Sequence, residues 1–81
     1  MSRSRDVVEV IARTLADQAD DVSVNERDGA EVTKIELSSA GNDLGRMIGR
    51  QGRTAASIRT LAELAGEDED RRVVVDFVDN P

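Results

Sequence analysis

The chain has 81 residues, a net charge of −6, no cysteine, no histidine and a single aromatic residue, Phe77. That describes one small domain with a modest core and no room for a second fold. It excludes disulfide and thiol chemistry, leaves zinc without its usual ligands, offers no apolar run of the ~20 residues that a membrane span needs, and argues against a generic polyanion binder, which is usually basic.

Met1 to Arg5 reads as a loose polar lead-in. Ser4 or Asp6 can cap a first helix, and Asp6 with Glu9 has capping-box spacing. Val8, Ile11, Ala12, Leu15 and Ala19 form a helical stripe that Val7 and Val10 widen, so a helix is expected from about Arg5 to Gln18. Ala19-Asp20-Asp21 breaks it. Val22, Val24 and Glu26 then alternate with polar neighbours as a short strand. Asp28-Gly29 is a hairpin turn. Thr33, Ile35 and Leu37 make the buried face of an antiparallel second strand, with Val32, Lys34 and Glu36 on the other. Ser38 to Asn42 is a loop, and Asp43 is the expected N-cap of the helix after it.

From Leu44 to Ala65 two apolar clusters flank Gly49-Arg50-Gln51-Gly52. Leu44, Met47 and Ile48 precede this turn, and Ala55, Ile58, Ala62 and Ala65 follow it at helical spacing. The stretch reads as helix, glycine-bounded turn, helix. Glycine permits backbone angles closed to other residues and lets another backbone come close. The free N–H groups and dipole at the start of the second helix favour an anion. Arg50 and Arg53 add forked donors suited to phosphate. The spacing alone also suits a plain helix-to-helix turn. It is neither the Gly-x-Gly-x-x-Gly dinucleotide fingerprint nor a Walker A loop. Asp43 to Leu61 carries a net +3, which leaves the rest at −9. Any electrostatic contribution to binding is therefore small and local.

Gly66 is the expected stop of the second of these helices, and Glu67-Asp68-Glu69-Asp70 a solvated acidic loop. That loop lies about 20 Å from the turn, beyond a Debye length of ~8 Å. Arg71 to Val78 is a last strand with two part-apolar faces, Val73, Val75 and Phe77 against Val74, Asp76 and Val78. That pattern suits a strand paired on both sides or contacting a partner. The fold class is α+β in the order α-β-β-α-α-β, a three-stranded mixed sheet with the helices on one face and a parallel crossover between the last two strands.

The run Asp43-Leu-Gly-Arg-Met-Ile-Gly-Arg-Gln-Gly-Arg53, followed by Ala55, Ile58, Arg59, Thr60 and Leu61, resembles the KH-domain signature, an Ile-Gly-x-x-Gly loop between two helices. It is similar in particular to the small single-KH RNA-binding proteins of bacteria, the KhpA-type family, over nearly the whole chain. Thr54 departs from the aliphatic residue that relatives often carry there, which weakens one packing contact. The element order is that of the type II, prokaryotic KH arrangement. The resemblance implies one KH domain over residues 1–81, with 1–5 as lead-in and 79–81 as tail. It implies single-stranded RNA as ligand, gripped at the sugar-phosphate backbone by the loop while bases lie in an apolar groove.

The expected RNA-binding residues are Gly49, Arg50, Gln51, Gly52, Arg53, Arg46 and Ile48, with amide donors from Gly52 and Arg53. Met47, Ile48, Ile35 and Leu37 are the candidate groove floor, though they also suit the core. Arg59 reads as solvated or ion-paired. No cofactor or metal is expected, and no enzyme, because no nucleophile and base are placed together. The resemblance implies a post-transcriptional regulator or RNA chaperone, as a homodimer or paired with a larger KH-containing Jag-type protein; the lack of a membrane-spanning run and of a signal-peptide apolar region makes the cytoplasm the expected location. Candidate contact surfaces are the outer face of the last strand and the helix bearing Ile58 and Leu61. The alternative is a protein-interaction module with little RNA binding, which the acidic balance and the lack of aromatics for base stacking favour.

Overall fold

The structure is a computed structural model that describes residues 2–79. Helix α1 spans Arg3–Leu15. Its cap is Ser2, whose Oγ accepts the Arg5 N–H at 3.1 Å, so neither Ser4 nor Asp6 caps it and the lead-in is helical from Arg3. Ser4 points inward instead and donates to the Ala62 carbonyl at 2.7 Å. The helix stops short of Gln18 because Ala16 turns extended, at φ −78 and ψ 138. The N–H groups of Asp17 and Gln18 then donate to the Asp43 carboxylate at 3.1 and 2.9 Å. A long-range acceptor overrides the local helical pattern. Val8 and Ala12 enter the core, whereas Val10 is 66% exposed, so the apolar face is narrower than the sequence suggests.

A single helical turn at Ala19–Asp21 leads into strand β1, Ser23–Asp28, and then β2, Val32–Ser39. The two are antiparallel, with Val24 opposite Leu37 and Asp28 opposite Thr33. Helix α2 covers Gly41–Ile48, a one-turn helix Arg50–Gly52, helix α3 Arg53–Asp68, and strand β3 Arg72–Asp79. β3 returns parallel to β2, with Ile35 beside Val75. The α-β-β-α-α-β order and mixed sheet are as expected. Val24, Ile35, Leu37, Val73 and Val75 bury one sheet face under Val8, Ala12, Met47, Ile58 and Ala62 from the helices. Burying each of the larger side chains contributes about 1.5–3 kcal/mol relative to exposure. The other face is mixed: it exposes Val74 and Val78 and carries the cross-strand pairs Arg27–Glu36 at 3.2 Å and Lys34–Asp76 at 3.0 Å.

Three local expectations give way to tertiary contacts. The sheet order is β1-β2-β3, so β3 is an edge strand paired on one side only. Helix α3 runs through Gly66 to Asp68. Gly66 is buried there, and a β-carbon on it would lie 2.4 Å from Val73 Cγ2 and 2.9 Å from the Arg71 carbonyl oxygen. The glycine marks the close passage of β3 against the helix rather than the helix end. The acidic run is only partly a loop. Glu67 and Asp68 are helical, Arg3 pairs with Asp68, and the Arg3 N–H donates to Glu69 Oε1 at 3.1 Å. Of the tail expected at 79–81, Asp79 closes β3, and residues 80–81 lie outside the described residues.

The Gly66 contact yields a test. Alanine in a helix interior is ordinarily worth about 1 kcal/mol over glycine. Here overpacking outweighs that gain, and Gly66→Ala should destabilise the chain by about 1–3 kcal/mol in urea unfolding. A stabilised variant would refute the close-passage account.

Candidate nucleic-acid interface

The turn between α2 and α3 is built from three left-handed or glycine-only residues among four, with Arg50 the exception. Gly49 adopts φ 76 and ψ 173, a region essentially closed to residues with a β-carbon. Gln51 sits at φ 58 and ψ 24, and Gly52 at φ 70 and ψ 15. Gly49 is also sterically fixed, because a β-carbon there would lie 2.4 Å from Thr54 Oγ1. The half-buried Thr54 hydroxyl thus fills the space beside Gly49. At Gly52 the corresponding space is open, so that glycine serves the backbone angle alone.

The expected amide donors are not the available ones. Gly52 N–H donates to the Gly49 carbonyl at 3.1 Å, and Arg53 N–H to the Arg50 carbonyl. These bonds close the turn. Among the described residues, the N–H groups of Arg50 and Gln51 have no hydrogen-bond acceptor. Gly52 is the N-cap of α3 and offers no side chain to its first amides. The free donors therefore sit two residues earlier than the sequence suggests, at the tip of the turn.

The side chains extend this pattern. Arg53 Nη2 donates to Gln51 Oε1 at 3.1 Å. That uses one lone pair of the Gln51 side-chain oxygen, and among the described residues its amide nitrogen has no acceptor. Arg50 is exposed and has no ion-pair partner among the described residues. The unpaired groups at the tip are mainly donors. The structure thus brings Arg50 and Gln51, between Gly49 and Gly52, beside Arg53.

Arg46 is differently placed. It pairs with Asp17 at 2.8 Å, which raises its pKa, and residues two apart on a helix do not face each other, so Arg46 and Ile48 flank α2 on different sides. Ile48 is 38% exposed, whereas Met47, Ile35 and Leu37 are fully buried. Those three belong to the core and leave the groove floor. Arg59 is neither free in solvent nor ion-paired. Its Nε donates to the Val75 carbonyl at 3.3 Å, and its guanidinium carbon lies 5.0 Å from the centre of the Phe77 ring. Ile58 is buried too, so the exposed apolar residues of α3 are Leu61 and Leu64.

One positioning residue escaped the sequence reading. Asp43 is not the cap of α2, a role that falls to Ala40. It lies inside the helix, 3% exposed, and its carboxylate ties α2 to the chain leaving α1. The N–H groups of Gln18 and then Asp17 hold its pKa below the ordinary carboxylate range, and the Arg46 charge adds to this. A buried acceptor serving amides some 25 residues away has no local sequence signal.

Comparison with known proteins identifies the family. The profile of the family described as "KhpA/KhpB, KH domain" matches residues 5–77. This chain belongs to that family. It is 42% identical over 74 residues to the "RNA-binding protein KhpA" of Clostridium perfringens, covering 91% of this chain and 99% of the relative. Proteins of the same description from Caldanaerobacter subterraneus and Halalkalibacterium halodurans are each 44% identical over 73 residues, covering 90% of this chain and 97% and 96% of theirs. No solved structure matches the chain. The fold is that of a type II KH domain, and the family is not an enzymatic one. Among the described residues, no helix is long and apolar enough to cross a membrane.

The Asp43 bonds predict an acid dependence. Its folded pKa is lower than its unfolded one, so the charged form stabilises the fold above the unfolded value. That contribution disappears as pH falls through the folded value. Asp43→Asn should be less stable near neutral pH and lose less stability than wild type between about pH 5 and about pH 2. Urea unfolding across that range checks it, and parallel losses in both proteins would contradict it.

Proposed function

We propose that this chain binds single-stranded RNA at the Gly49–Gly52 turn, as a single KH domain working in the cytoplasm. The observation that carries the reading is the donor-rich tip: free N–H groups of Arg50 and Gln51 in a turn bounded by Gly49 and Gly52, beside the side-chain amide of Gln51 and the guanidinium groups of Arg50 and Arg53. Phosphate oxygens are pure acceptors and suit such a tip. The relatives' description as RNA-binding proteins supports the same ligand. Gly52, beside which the space is open, lets the sugar-phosphate backbone approach, and the exposed part of Ile48 flanks a base. Arg46 joins the site only by exchanging Asp17 for a phosphate, and an exposed ion pair has little net worth to lose.

A lone KH footprint of about four nucleotides binds weakly, and association of two domains raises avidity through effective concentration. We assign the chain the role of a post-transcriptional regulator or RNA chaperone that acts as a homodimer or with a larger KH-containing Jag-type protein. Leu61 at 47% and Leu64 at 56% exposure support an association surface on α3. The same leucines, with the net charge of −6, favour the second reading, an interaction module that scarcely uses RNA.

The double variant Arg50→Asp with Gln51→Asp separates the two. Aspartate tolerates the left-handed angle at position 51. Exposed changes of this kind cost within about ±0.5 kcal/mol, so the melt should hold. Each lost charged hydrogen bond is worth about 1.5–3 kcal/mol, so RNA affinity should fall at least about tenfold. Self-association in sedimentation should persist. Unchanged RNA affinity with an intact melt would contradict the RNA reading and leave the interaction module.

A further inference from the structure

Arg59 stands apart from the loop and has a defined seat. It lies six residues after Arg53 on α3, about 9 Å along the helix axis. From there it crosses to the free edge of β3. Its Nε is engaged by the Val75 carbonyl at 3.3 Å, and one face of its guanidinium lies over Phe77 at 5.0 Å. Phe77 is the only aromatic residue of the chain. Among the described residues no carboxylate pairs with Arg59. Its remaining donors are therefore open, while the Nε bond and the Phe77 contact restrict how the group can turn.

A guanidinium held flat with a free fork matches two adjacent acceptors in one plane. A single RNA strand offers such pairs as phosphate oxygens or as the O6 and N7 edge of guanine. The surroundings favour the base. Between Arg53 and Arg59 the helix carries Thr54, Ala55, Ala56, Ser57 and Ile58, with no charge among them. Ala56, one turn before Arg59 on the same side, is small and exposed, so a flat ring can come close. No second cation on this stretch marks a phosphate track. A guanidinium face also stacks readily on a base.

We propose that Arg59 is a specificity residue, which reads a guanine through its O6 and N7 where an RNA strand held at the loop reaches the β3 edge. Phe77 and the Val75 carbonyl hold the fork in place. The inference rests on the reading that the loop binds RNA.

The test is fluorescence anisotropy of the full chain with three sets of short single-stranded probes. These are oligouridine, oligouridine with one guanosine at successive positions, and the same with a deazaguanosine that lacks N7. Wild type should prefer the guanosine probe at its best position by at least about fivefold, and the deaza probe should lose that preference. Arg59→Lys keeps the charge without the fork, and the guanosine-to-uridine affinity ratio should collapse towards one. Phe77→Leu, which removes the stack, should shift the ratio the same way. A ratio unchanged in Arg59→Lys overturns the proposal, and so does an equal loss on every probe, which marks a phosphate contact. Absence of any guanosine preference in wild type overturns it as well. Wild type binding none of the probes removes the RNA reading itself and this inference with it.

Discussion

The backbone of Gly49 is the constraint on which the site depends. At φ 76 and ψ 173 it turns the chain out of α2 in a conformation that a side chain forbids. The reversal places Met47 and Ala55, on either side of the turn, in one core. It also spends the amides of Gly52 and Arg53 on closing the turn, which leaves those of Arg50 and Gln51 facing outward. The Thr54 hydroxyl sits where a Gly49 β-carbon would be, so the second helix is fitted to the glycine as closely as the first. The departure at Thr54 places its hydroxyl in this contact.

Charge is distributed to keep that tip positive in a protein of net charge −6. Many acids are taken up by structural partners. Asp17 holds Arg46, Asp68 holds Arg3, Glu36 holds Arg27 and Asp76 holds Lys34. Glu9 is bonded by Arg5 and Arg13, which holds its pKa below the ordinary carboxylate range. The arginines without such a partner near the loop are Arg50 and Arg53. A positive spot of this size gives local phosphate attraction with a shallow salt dependence, and it disfavours long stretches of duplex, whose charge density calls for a broad basic face.

The element order, the hairpin at Asp28-Gly29 and the buried face of Thr33, Ile35 and Leu37 were legible in the sequence, because periodicity and turn chemistry report local structure directly. So was the glycine-bounded turn. What the sequence hid was set by contacts between distant residues. Ser4 and Gly66 look like a cap and a stop, and both are points of close passage among α1, α3 and β3. Asp43 looks like a cap and is a buried acceptor for the chain leaving α1. Met47, Ile35 and Leu37 could have lined a groove by pattern alone, and only the packed structure assigns them to the core. Arg59 has no local signal for Phe77, which is 18 residues on.

The central claim is that the donor-rich tip is where RNA meets the protein. The most direct measurement is an amide chemical-shift titration of the isotope-labelled chain with a short single-stranded RNA. The account predicts the largest changes at the N–H groups of Arg50 and Gln51, saturating together. Changes confined to Leu61 and Leu64 on α3, or to the outer sheet face around Lys34 and Asp76, with the turn unmoved, would contradict it.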